Sequence, residues 1–104
     1  MRWMETIKVQ SATGKEQVIV DELMELAQQV KKSANGQGLQ EAMVSRHASV
    51  PGYFALRLFW DNDHLEPRGS LVGLSLTQNL KVFGLVDHSI WIEMSKTEGG
   101  REND

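Results

Sequence analysis

The chain has 104 residues, 40% of them hydrophobic and 24% charged, with a formal net charge of −3 and no cysteine. That length suits one domain, and the acidic balance argues against a nucleic-acid partner, which needs a basic face for phosphates. Without cysteine there are no disulfides and no thiolate nucleophiles or metal ligands. No run approaches the ~18 apolar residues of a membrane span and no export signal is visible, so a cytoplasmic protein with no membrane partner is expected.

Residues Arg2 to Gln10 read as a first strand. Trp3, Glu5, Ile7 and Val9 share one face; Met4, Thr6, Lys8 and Gln10 share the other. After the break at Ser11 to Gly14, Thr13 and Glu16 have the spacing of a capping box. The helix they open runs to about Ala34, with Ile19, Leu23, Leu26, Ala27 and Val30 on one stripe. Asn35 to Gly38 ends it. Leu39 to Ala48 is a second strand, half polar on both faces and therefore an edge, joined by the Pro51-Gly52 turn to a third.

The third strand, Tyr53 to Trp60, organises the fold. Phe54, Leu56, Leu58 and Trp60 form one apolar row; Tyr53, Ala55 and Phe59 form another, interrupted by Arg57. A strand apolar on both faces is covered on both, so it belongs inside the sheet. A polar loop, Asp61 to Gly69, leads to a second helix from near Ser70 to Phe83. Its buried row is Val72, Leu76, Leu80 and Phe83, with Gly84 as C-terminal cap. Gly73 inside this helix costs ~1 kcal/mol against alanine. Leu85 to Met94 is the last strand, alternating Val86, His88, Ile90 and Ile92 with Asp87, Ser89, Trp91 and Glu93. Residues 1–94 thus form one domain. Ser95 to Asp104 has no apolar residue and is expected to be a disordered tail.

The order βαββαβ is the ferredoxin-like α+β pattern, a four-stranded antiparallel sheet with both helices on one face. Right-handed crossovers give strand order 4-1-3-2. The uncovered face then carries Lys8, Tyr53, Arg57, Phe59 and Trp91 over roughly 400 Å², unusual for a monomer. We therefore expect a homodimer through Tyr53, Arg57, Phe59 and Trp91, with an anion such as Asp87 or Glu93 answering Arg57.

Element order and size, and Trp60 at the end of the third strand, resemble the antibiotic biosynthesis monooxygenase-like family of dimeric α/β-barrel proteins. The resemblance covers about Trp3 to Met94. It implies a small-molecule enzyme that oxidises phenolic or quinol-type substrates without a cofactor, with a tryptophan beside the pocket. The haem-degrading branch of that family uses a histidine on the second helix as iron ligand. No histidine stands between Ser70 and Phe83, so no cofactor is expected.

His88 is the sharpest candidate for chemistry. Alternation places it on the helix side, and Glu5 lies on the same face of the neighbouring first strand. A carboxylate beside an imidazole there is either a hydrogen-bonded structural pair or a general base with His88 as proton acceptor. Trp3 and Trp60 should meet at one end of the sheet. With Leu58 they either wall a pocket for a small aromatic molecule or fill the core. Asp61, Asp63 and His64 fit no metal-site spacing and read as a solvated loop. Arg46 and His47 have no visible partner. The other expectation open to this sequence is a non-catalytic homodimer that binds a small ligand or a protein.

Overall fold

A computed structural model describes residues 1–11 and 16–94. The strands are β1 (Arg2–Ser11), β2 (Leu39–Arg46), β3 (Tyr53–Asp61) and β4 (Gly84–Ile92), and the helices α1 (Glu16–Ser33) and α2 (Leu71–Leu80). All pairings are antiparallel and the sheet order is β2-β3-β1-β4, the expected order read from the other edge. β3 is internal and β2 an edge, as their apolar patterns require. The Thr13 cap and the tail from Ser95 lie outside the described residues.

Alternation sets the two faces of the sheet. Trp3, Ile7, Val9, Phe54, Leu56 and Leu58 point to the helices and are buried against Ile19, Leu23 and Val30 of α1 and Leu76 and Leu80 of α2. α1 lies over β2, and α2 lies over β1 and β4. Phe59 and Trp91 point the other way.

Four local expectations are corrected. α2 itself stops at Leu80 and a 3-10 turn, Lys81–Phe83, finishes the helical segment; Gly84 caps that turn and at once begins β4. It is needed for close approach, since a Cβ there would stand 2.1 Å from the Gln10 carbonyl oxygen. β4 stops at Ile92, which is half exposed. β2 stops at Arg46, where His47 takes over the hairpin loop. Its Nδ1 accepts from the amides of Ser49 and Val50, and its ring stacks on Tyr53 at 5.6 Å, so His47 has partners after all. Arg57, whose anion is expected across a dimer face, bonds Ser45 Oγ at 2.9 Å within the chain. β1 stands between β3 and β4, and Glu93 is held by Arg2 at 2.9 Å.

Candidate functional site

The register sets Trp3 directly opposite Trp60 where β1 begins and β3 ends, and their rings stack at 5.4 Å. Each indole N–H is committed. Trp3 Nε1 donates to Asn62 Oδ1 at 3.0 Å, and Trp60 Nε1 donates to Glu5 Oε2 at 2.9 Å. Asn62 also accepts from the His64 amide and donates to the Gln37 carbonyl, which ties the loop after β3 to the turn after α1.

Glu5 is wholly buried, with 0% of its surface exposed. Its carboxylate gathers four hydrogen bonds: Trp60 Nε1, the Ser70 amide at 3.2 Å, the Ser70 hydroxyl, and His88 Nε2 at 2.8 Å. Four partners on two oxygens suit a group that only accepts, with the proton of the His88 bond carried on Nε2. Burying such a group is costly unless it is fully paired, and here it is. Ser70 is also the N-cap of α2, its Oγ accepting from the Gly73 amide at 2.9 Å. The N-terminal end of the helix dipole adds to the field favouring negative charge at this place.

Two glycines make the room. A Cβ on Gly73 would lie 2.0 Å from Glu5 Oε1, and one on Gly69 would lie 2.2 Å from His88 Cε1. Gly73 therefore stands in α2 in spite of its helix cost because the helix runs over the carboxylate at contact distance. Sequence reasoning paired Glu5 with His88 but missed Ser70, Gly69, Gly73 and Asn62 as part of this cluster. The interrupted helix start, Gly69-Ser70 with Gly73 three residues on, was the available signal.

An open cleft of about 970 Å³ lies between this end of the sheet and the start of α2. Trp3 and Trp60 line it, together with Gly36, Gly38, the loop from Asp61 to Ser70, and Leu71 and Leu74 of α2. Leu58 does not line it; that side chain is fully buried in the core. His88 is not on the wall either, standing behind Gly69 with a side chain 11% exposed. Ser70 and Trp60 both border the cleft and hydrogen-bond Glu5, and Ser70 does so through a hydroxyl that can also exchange a proton. Asp61 and Asp63 bind the N-terminal amine, at 3.6 and 3.3 Å, and no cluster of three metal-ligating side chains occurs among the described residues. Tyr53, Arg57, Phe59 and Trp91 all lie on the face away from the helices, Trp91 more than half exposed. No described helix is long and apolar enough to cross a membrane.

Sheet order, helix placement and this cleft define a ferredoxin-like α+β domain. No protein-family model matches the chain, and no curated protein matches it by sequence. Solved structures share the fold. One, named a putative antibiotic biosynthesis monooxygenase of Deinococcus radiodurans, is 15% identical with a TM-score of 0.65, covering 92% of this chain and 96% of that one. The Mycobacterium tuberculosis protein Rv0793 is 12% identical with a TM-score of 0.67, covering 94% and 100%. Another, named a putative antibiotic biosynthesis monooxygenase of Chloroflexus aurantiacus, is 12% identical with a TM-score of 0.55, covering 96% and 100%. At these identities the likeness is one of fold.

Proposed function

We propose that the chain is a cytoplasmic homodimer and belongs with the antibiotic biosynthesis monooxygenase-like proteins. Its reaction is the cofactor-independent oxidation of a phenolic or quinol-type molecule held in the cleft beside Trp60. The observation that carries this reading is the Ser70 hydroxyl, which borders the cleft and hydrogen-bonds the buried Glu5 carboxylate. Trp3 and Trp60, each 3% exposed, reach the cleft only by a narrow rim, and Leu71 and Leu74 supply its exposed apolar surface for an aromatic ring. A ring hydroxyl at Ser70 passes its proton to Oγ while the Ser70 proton moves to Glu5 Oε2. His88, on the far side of Glu5, holds the carboxylate in place and shares its charge through Nε2. The resulting phenolate is electron-rich and supplies the electrons that reduce oxygen. The names of two structures of the same fold support the reaction class. Dimerisation through Tyr53, Arg57, Phe59 and Trp91 covers the aromatic face.

A panel of phenols and hydroquinones in an oxygen electrode tests the proposal. The wild type should consume oxygen, and Glu5→Gln and Ser70→Ala should not, while both remain folded by circular dichroism. Equal turnover by all three proteins would remove Glu5 and Ser70 from the chemistry.

A second reading is favoured by one specific feature: Glu5 is saturated by its four partners and His88 is screened from the cleft by Gly69. On that reading the cluster is structural and the protein is a homodimer that binds a small aromatic molecule without transforming it. Quenching of tryptophan fluorescence by such a ligand, with no oxygen uptake, would decide for it.

A further inference from the structure

The sheet face turned away from the helices carries a charge pattern that one chain leaves open. Arg57 stands near its middle, beside Met43 of β2 and Thr6 of β1, and its one bond is to the Ser45 hydroxyl. With Lys8 and Arg46 it borders a pocket of about 420 Å³ that no carboxylate lines. Lys8 and Arg57 lie on this face, while Arg46 borders the pocket from the β2 edge, its register partner Phe54 facing the helices.

The carboxylates on or bordering this face are nearly all engaged. Glu41 is held by Lys31 at 2.7 Å, Glu93 by Arg2, and Asp61 by the N-terminal amine. Asp87 is the exception: among the described residues it makes no ion pair, although Lys8 stands opposite it in register. Asp87 is out of reach of Arg57 in the same chain. Two strand spacings of ~4.8 Å and two residues of ~3.4 Å put their Cα atoms roughly 12 Å apart.

We infer that this face docks on a second copy of the chain with Arg57 of each copy paired to the partner's Asp87, so that two reciprocal ion pairs set the register of the dimer. The inference rests on the homodimer proposed above and adds the geometry of its interface. Two-fold symmetry makes every contact reciprocal, so one Arg57–Asp87 pairing entails the other. The midpoint between the two residues falls over β1, between Thr6 and Lys8, close to the centre of the four-stranded sheet. A two-fold there overlaps the sheets while joining both pairs. The apolar row of Met4, Phe59 and Trp91 supplies contact area. It is indifferent to sliding, whereas a desolvated arginine left without an anion disfavours every other register.

Sedimentation equilibrium of the full chain, wild type, Arg57→Asp, Asp87→Arg and the double reversal, tests this. Wild type should be a dimer, and each single reversal should weaken dimerisation at least about tenfold, in the range of interfacial charge pairs. The double reversal should return to within about threefold of wild type. A dimeric wild type with no recovery in the double variant would overturn the pairing and leave the dimer standing. A monomeric wild type would overturn the dimer and the pairing together. Unchanged dimerisation in all variants, with citrate binding lost in Arg57→Asp, would assign the basic pocket to a small anion and overturn the pairing.

Discussion

Gly73→Ala separates what helix propensity predicts from what the tertiary structure dictates. An exchange of glycine for alanine inside an exposed helix stabilises by roughly 1 kcal/mol. Here the new Cβ would meet Glu5 Oε1 at 2.0 Å and Cδ at 2.8 Å. A carboxylate is the end of a flexible side chain and elsewhere would swing aside. In this site it is fully buried and held by Trp60, Ser70 and His88, so any movement breaks hydrogen bonds to a charged group. Each such bond is worth about 1.5–3 kcal/mol, and overpacking typically costs about 1–3 kcal/mol. Either figure exceeds or cancels the helix gain, so net destabilisation of about 1–2 kcal/mol is expected. Urea denaturation followed by tryptophan fluorescence measures it. The same exchange in a Glu5→Ala background removes the obstacle and should recover the stabilising sign, by about 0.5–1 kcal/mol. Gly73→Ala stabilising the wild type would refute the close packing of α2 on Glu5.

Trp60→Phe keeps a ring in the stack but deletes the donor to Glu5 Oε2; a loss of about 1.5–3 kcal/mol in denaturant melts is expected. Asn62→Ala removes the acceptor of Trp3 Nε1 and the link to Gln37. It should cost about 1–2 kcal/mol and speed hydrogen exchange at the His64 amide, which Asn62 also binds. The Lys31 ammonium and the Ala42 amide hold the Glu41 carboxyl below its ordinary value of 4.5. Because the folded value is the lower one, the stabilisation is present above pH 4.5 and lost as pH falls through the lowered value. Lys31→Met should therefore lower the Tm slightly at pH 7, and its difference from wild type should shrink progressively as pH falls below 4.5, as read by calorimetry.

Much of this protein was decided by local pattern. The two-residue period of Phe54 to Trp60, apolar on both sides, required an internal strand, and the half-polar Leu39 segment required an edge. Chain order with right-handed crossovers then left one sheet topology. The same alternation placed Glu5 and His88 on one face, and antiparallel pairing brought Trp3 to Trp60. Strand period is a strict constraint, since a slip of one residue turns a whole row to the wrong side.

What the sequence could not settle depends on contacts between distant residues. Gly73 looks like a weak point in a helix until Glu5, 68 positions earlier, is seen to occupy the space a Cβ would take. Ser70 looks like a helix cap and is also a hydroxyl link between the cleft and a buried carboxylate. Gly84 looks like a helix terminator and does cap the 3-10 turn after α2, but close approach of β1 also requires a glycine there as the first residue of a strand. Arg57 was expected to meet an anion such as Asp87 or Glu93 across a dimer face, and within one chain the interposed β1 keeps Asp87 out of its reach. Periodicity reports which face a side chain occupies. Distances of 2 to 3 Å between non-neighbours arise only when helix, loop and sheet close on one another.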